Sequence, residues 1–172
     1  MSHSLYQEAV AMTINVLTQT HHLLRVAHTH VAAGDIMEAT LLESKLAPDM
    51  FDFKRQVQIV SDTAKSFYAR ASGLENPVMP DNETSLEALL ARIESTLAFV
   101  STGAILEESA IDAMEVTFGY MPGKKIMGHD YVTTTVIPNL YFHQAMVYAH
   151  LRMHGATIGK MDFLGNVPML DA

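Results

Sequence analysis

The residues with the clearest capacity for chemistry lie on one predicted helix late in the chain. Asn139, His143, Met146 and His150 are spaced so that they fall within one narrow sector of that helix, at about 100° per residue. Most of their neighbours are apolar, and a buried imidazole or amide without a hydrogen-bond partner costs about 1 to 3 kcal/mol. We interpret the stripe as one wall of a polar ligand pocket. The spacing equally allows core side chains that are bonded to neighbouring helices.

The range of chemistry open to this stripe is narrow. The chain has no cysteine, which excludes disulfides, thiolate metal sites and cysteine nucleophiles. His150 lies about 16 Å of helical rise from Asn139, too far for the two to bind one ion. No phosphate-binding loop, nucleophile elbow, dinucleotide fingerprint or zinc-protease motif is present.

Other titratable residues are better explained as surface groups. His21, Arg25 and His28 share a face of the first predicted helix, where the fixed charge of Arg25 opposes metal binding. Asp62 points away from the apolar seam of its helix, and we predict that it forms a surface ion pair. None of the remaining candidate carboxylates is paired with a histidine on its own helix; they are Asp49, Asp52, Glu107 and Glu108.

The elements that must position the stripe are mainly helices. Ser4 and Gln7 predict a capping box for the first long helix, and Gly34 predicts its end. Asp35 and Glu38 predict a second capping box, for a short helix.

Caps and glycines also predict the limits of the second and third long helices. Gly73 ends the second helix, residues 74–83 form a crossover loop with two prolines, and Thr84 with Glu87 caps the third helix before Gly103. The second helix carries a narrow apolar stripe consisting of Met50, Phe53, Val57, Val60, Ala64, Phe67 and Ala71.

Alternating residues between Met114 and Met127 surround a Pro-Gly turn and predict a small β-hairpin between helices three and four. The fourth helix spans residues 130–154, and Pro138 is expected to kink it. The sequence therefore predicts an all-α four-helix bundle with a crossover connection, as a single domain over residues 1–172.

Composition limits the partners. The chain has 172 residues and a formal charge of -8, which opposes binding to nucleic acid or to an anionic membrane surface. Residues 131–151 carry no Asp, Glu, Lys or Arg, yet they include Pro138, Asn139 and His143, so we expect a helix buried in protein and no membrane partner. The beginning of the chain does not resemble a secretory signal, and we expect a cytoplasmic location.

Three segments together resemble a known bacterial family: LAPDMFDFKRQVQIVSDTAK, PNLYFHQAMVYAHLR and HGATIGKMDFLG. It is the domain of unknown function DUF1993, within the DinB/YfiT-like metalloenzyme superfamily. The resemblance spans nearly the whole chain and implies a DinB-like four-helix bundle with a crossover, often paired as a homodimer.

Metal-dependent members of that superfamily, including thiol-dependent transferases, hold a divalent ion with three histidines. The resemblance maps these positions onto Gln58, Asn139 and His143, so only one histidine is kept. Neutral amides bind zinc or nickel much more weakly than imidazole does. No metal is therefore expected, and His143, Asn139 and Gln58 are the candidate ligands if Zn or Ni binds.

Three functional hypotheses follow. The leading one is a DinB-like bundle with a degenerate metal site that is non-catalytic or binds a small ligand, with a pocket formed by Gln58, Asn139, His143, Met146 and His150. The first alternative is a divalent-metal-dependent hydrolase or thiol-type transferase. The second is a dimerisation or interaction module that uses residues 73–83 and 114–127.

Overall fold

The structure, a computed structural model, describes residues 4–169. Helices form most of this part of the chain. The elements are α1 (Leu5–Ala32), α2 (Glu38–Glu43), α3 (Phe53–Ser72), α4 (Leu86–Val100), α5 (Glu108–Asp112), β1 (Glu115–Thr117), β2 (Lys125–Met127), α6 (Gly128–Asp130), a π-helical segment (Tyr131–Val136), α7 (Ile137–Met153) and α8 (Lys160–Leu164).

The four long helices α1, α3, α4 and α7 form a bundle in which α3 packs between α4 and α7, and α1 closes the ring by packing on the same two helices. The core between them is apolar because each helix places one face inward. Its fully buried residues include Val16, Leu23, Val57, Phe67, Ile93, Leu140 and Val147. The predicted all-α four-helix bundle is confirmed.

Side-chain contacts fix the directions of the helices. Ser61 contacts Thr96, and Tyr68 further along α3 contacts Gly103, so α3 and α4 run parallel. Parallel neighbours require a connection that returns along the bundle, and residues 73–85 make it. This is the crossover that the proline-containing loop predicts.

Contacts between α3 and α7 run in the opposite sense. Gln56 near the start of α3 meets His143, whereas Thr63 further along α3 meets Asn139, which precedes His143 in α7. The two helices are therefore antiparallel, and their facing side chains determine what the predicted polar stripe touches.

Several of the predicted helix caps are confirmed, among them Gly34, which follows the end of α1 with φ 81°, and two are wrong. The Ser4–Gln7 capping box is present, and Gly73 ends α3 in the left-handed conformation with φ 72°. The N-cap of α4 is Ser85, one residue after the predicted Thr84. Glu38 does not cap α2, because its carboxylate accepts a hydrogen bond from the backbone N–H of Leu86, at the start of α4 (2.7 Å).

The predicted hairpin is confirmed as an antiparallel pair of strands in which Val116 lies opposite Ile126. It leads directly into α6 through Gly128, which is buried. A Cβ atom at this position would lie 1.7 Å from the carbonyl oxygen of Ile111, so only glycine allows α5 to approach this closely.

Pro138, which is expected to kink the fourth helix, is preceded by the π-helical segment. Proline has no N–H to donate to the preceding turn, and the N–H of Ile137 reaches back to the carbonyl of Val132. The hydroxyl groups of Thr133 and Thr134 donate to the carbonyls four residues earlier. This segment turns Tyr131 and Thr135 toward α3.

In the described part of the chain, no helix combines the length and the apolarity needed to span a bilayer. Residues 131–151, the stretch without charged side chains, end in α7, which packs against both α1 and α3 inside the bundle. The expected cytoplasmic location remains a prediction.

Candidate functional site

The stripe of α7 faces the bundle, and each of its three polar members has its own partner. His143 is buried, and its Nδ1 lies 2.7 Å from Oε1 of Gln56. The amide of Asn139 donates to the hydroxyl of Thr63 at 2.8 Å. These contacts supply the partners that a buried stripe requires, and both come from α3.

His143 is held neutral. Burial, together with the smaller effect of the positive charge of Arg55, lowers the pKa of its imidazole from the usual 6.5 to about 4. Because the carbonyl oxygen of Gln56 can only accept, Nδ1 carries the proton and Nε2 is left as the acceptor. His143 is thus a neutral imidazole at physiological pH.

His150 lies deeper in the bundle and is fully buried. The hydroxyl of Ser44 donates to the carbonyl of Leu41, so Nδ1 of His150 donates to Ser44 at 2.9 Å. The ring meets Phe53 edge-on. Its Nε2 has no partner among the described residues.

Gln58 faces a different part of the molecule. Its amide nitrogen donates to Glu83 in the crossover loop at 2.8 Å, and its carbonyl oxygen accepts from Arg55 at 3.2 Å. Gln58, Asn139 and His143 therefore hydrogen-bond to separate partners and do not form one network with each other. Met146, the remaining residue predicted for the pocket, is half-buried on α7.

The three positions do not fit a divalent metal. The carbonyl oxygen of Gln58 is taken by a guanidinium, and the same Arg55 charge acts on His143. A cation beside two neutral amides and one imidazole opposes a second cation. Residues 4–169 also contain no cluster of three His, Asp or Glu side chains arranged for a metal.

A cavity opens beside Asn139, between α3, the π-helical segment and the end of the hairpin. Its volume is about 270 Å³. Residues spaced four apart on two facing helices form most of its wall, since such spacing keeps side chains on one face. The lining consists of Asp62, Thr63, Ser66 and Arg70 of α3, Phe118 and Tyr120 of the hairpin loop, and Tyr131, Thr135, Val136 and Asn139.

The cavity combines aromatic rings with charge. The guanidinium of Arg70 lies 5.4 Å from the ring centre of Tyr131, a distance that allows a cation–π interaction. Burial raises the pKa of the Tyr131 hydroxyl, and Arg70 only partly opposes this shift, so the hydroxyl stays protonated. Phe118 stacks on Tyr120 with ring centres 5.2 Å apart.

The structure contains a buried charged cluster that sequence reasoning missed. Arg92 of α4 is 5% exposed and donates to Glu83 and Asp62, at 2.7 Å each. It also lies 3.0 Å from Asp81. Asp62 therefore forms the predicted ion pair, but its partner Arg92 is buried and is not a surface residue.

Burial raises the pKa of Glu83, but hydrogen bonds from Arg92 and Gln58 more than offset this effect, and its pKa is lowered overall. A charged residue at position 92, within the inward face of α4, is the signal that could have located the cluster. Two of its acidic partners, Asp81 and Glu83, lie in the crossover loop, and the third, Asp62, belongs to α3.

Three of the four histidines of α1 pair with carboxylates at the surface, and His28 is exposed. Nε2 of His21 lies 2.9 Å from Glu94, and Nε2 of His22 lies 2.8 Å from Asp162 of α8. Nδ1 of His30 lies 3.0 Å from Asp35. These contacts join neighbouring elements and agree with the prediction of a solvated face.

Comparison with known proteins identifies a family and a similar solved structure. The family described as a domain of unknown function (DUF1993) matches residues 5–164. A DinB family member protein from Shewanella denitrificans, known from a crystal structure, is 32% identical, with a TM-score of 0.86. The likeness covers 98% of this chain and 96% of that one. No curated protein matches the chain.

Proposed function

This chain belongs to the DUF1993 family of DinB-like bundles, and from that premise we propose that it binds a small organic molecule without a catalytic metal. The observation that carries the proposal is the cavity beside Asn139, which has aromatic, amide, hydroxyl and guanidinium groups in its wall. Ligand sites in helical bundles commonly lie between facing helices and combine an apolar wall with a few polar groups.

The π-helical segment supports the same proposal. Such segments are rare and frequently occur at functional sites, since they disturb the regular helical hydrogen bonds. Here the segment supplies Tyr131, Thr135 and Val136 to the cavity. A regular helix would rotate these side chains relative to Asn139.

The degenerate metal site is part of this proposal. We expect Gln58, Asn139 and His143 to keep their hydrogen bonds to protein partners, with Arg55 as the local cation. A hydrolase or transferase of the metal-dependent type would need strong donors such as three imidazoles at this place, and two of the three positions carry weakly binding amides.

A pair of threonine variants tests ligand binding. Thr135→Phe should fill the cavity, whereas Thr134→Phe places the same side chain on the exposed neighbour, outside the cavity. We expect fragments that shift the NMR signals of Asn139 and Tyr131 in the wild-type protein to lose binding in Thr135→Phe only. Equal binding by both variants, or no fragment at this place, would contradict the proposal.

Elemental analysis of protein purified without chelators tests the metal part separately. We expect zinc and nickel far below one ion per chain. One firmly bound ion per chain that is lost in His143→Ala would instead support the metal-dependent hydrolase or transferase.

Self-association is a second candidate function, favoured by exposed apolar side chains on two loops. Val78 in the crossover loop is 93% exposed, and Tyr120 at the tip of the hairpin is 73% exposed. Such side chains are common at interfaces between subunits. Analytical ultracentrifugation should then find a homodimer that Val78→Asp with Tyr120→Asp converts to monomer, and a monomeric wild-type protein would rule it out.

A further inference from the structure

We infer that the cavity beside Asn139 takes a small aromatic carboxylate, whose carboxylate group pairs with Arg70. This inference rests on the proposed function, because it assumes that the cavity is a ligand site. It adds the chemical class of the ligand.

The first step is the balance of charge around the cavity. Two charged residues line it, Asp62 and Arg70. Asp62 is neutralised by Arg92 at 2.7 Å and has Lys65 at 3.4 Å. Arg70 has no carboxylate partner among residues 4–169, so the cavity presents one uncompensated positive charge.

The second step is the geometry of the Arg70 guanidinium. Nη1 donates to the backbone carbonyl of Ser66 at 2.9 Å and to the hydroxyl of Tyr131 at 3.4 Å. Nε and Nη2 donate to no acceptor in the described residues. These two nitrogens form one edge of the planar group, the edge that binds a carboxylate through two parallel hydrogen bonds.

The third step is the shape and polarity of the remaining wall. Phe118 stacks on Tyr120 and lies 6.1 Å from the ring centre of Tyr131. Aromatic rings recognise another ring through offset-stacked or edge contacts. A volume of about 270 Å³ leaves room for a ligand of roughly one ring and its substituents.

The fourth step separates a carboxylate from a phosphate. A phosphate monoester carries close to two negative charges at neutral pH. Among the described residues, Arg70 is the one unpaired cation of the cavity. The carboxylate of Asp62 lines the same wall and would repel a second negative charge. A singly charged anion fits this arrangement better than a doubly charged one.

Three probes of similar shape test the inference: benzoate, benzamide and benzylamine. Binding is measured by isothermal titration calorimetry and located by NMR shifts of Asn139 and Tyr131. We expect benzoate to bind at least tenfold more tightly than benzamide, because a hydrogen bond to a charged group contributes about 1.5 to 3 kcal/mol. Benzylamine should not bind.

Variants identify the group that holds the charge. Arg70→Gln should weaken benzoate binding at least tenfold and benzamide binding much less, while Arg70→Lys should give an intermediate value for benzoate because it keeps the charge without the planar edge. Arg25→Gln removes the same charge from the exposed face of α1 and should have no effect. If Arg70→Gln does not fold, Arg70→Lys and the comparison of probes on the wild-type protein still decide.

The outcomes separate the two proposals. If benzamide or benzylamine binds in the cavity as tightly as benzoate, the carboxylate inference is wrong and the proposed ligand site survives. If benzoate binds equally to Arg70→Gln, Arg70 is not its partner and the inference is also wrong. If no probe or fragment shifts the signals of the cavity residues, both proposals fail.

Discussion

Helix α3 presents two polar faces that differ in charge. Toward the crossover loop and α4, Gln58 and Asp62 join a cluster of fully charged groups around Arg92. Toward α7, Gln56 and Thr63 meet neutral partners through single hydrogen bonds. The same helix thus supports a charged network on one side and separate neutral pairs on the other.

This difference suggests different roles. A buried charge must be paired, so the Arg92 cluster holds the crossover loop against the bundle and every member depends on the others. A neutral pair at the edge of the bundle, such as Thr63 with Asn139, costs less to lose, because water can replace the missing partner. The comparison predicts a graded series of effects on stability.

The largest effect is expected at the charged face. Arg92→Met keeps the apolar stem of the side chain but leaves Glu83 buried without its cation, and should lower the free energy of unfolding by about 3 to 5 kcal/mol. Urea denaturation measures this. Adding Glu83→Gln to Arg92→Met should restore part of the lost stability. As a control, Arg25→Met on the exposed face of α1 should change the free energy of unfolding little. A loss below about 1 kcal/mol in Arg92→Met would show that the cluster does not hold the loop.

The second effect belongs to the neutral face and depends on pH. The pKa of His143 is about 4 in the folded protein and 6.5 when exposed, so the unfolded chain binds more protons between these values. The stabilisation is complete above pH 6.5 and falls as the pH drops toward 4, by about 3 kcal/mol in total. His143→Gln should lack this part of the pH dependence in urea titrations at pH 7 and pH 4. Parallel profiles for both proteins would contradict the neutral state of His143.

The four long helices, the hairpin and the inward direction of the α7 stripe could be predicted because they depend on local periodicity, caps and turns. The partner of His143 could not. Gln56 and Gln58 differ by two positions, which is about 200° around a helix, and only the packing of α3 on α7 decides which one faces His143. Arg92 was missed for a related reason, since Glu83 and Asp81 reach it only through the path of the crossover loop.

The third effect concerns the buried end of the neutral face. Ser44→Ala removes the partner of Nδ1 of His150, whose Nε2 already has none in the described structure, and should cost about 1 to 3 kcal/mol. Ser72→Ala is the control, because the Ser72 hydroxyl bonds to the backbone of its own helix. Thermal unfolding should separate the two variants clearly, and equal melting temperatures would mean that His150 gains nothing from Ser44.

The smallest effect is expected where the neutral face borders the cavity. Thr63→Val keeps the shape of the side chain but removes the acceptor of the Asn139 amide, and should cost about 1 kcal/mol or less because Asn139 is only half-buried and water can replace the lost partner. Thr18→Val on exposed α1 controls for the loss of a hydroxyl that bonds to its own helix. If Thr63→Val destabilised the protein as strongly as Arg92→Met, the two faces of α3 would be equally structural. A small loss of stability together with altered fragment binding would instead indicate that the Asn139 amide can bind a ligand without unfolding the protein.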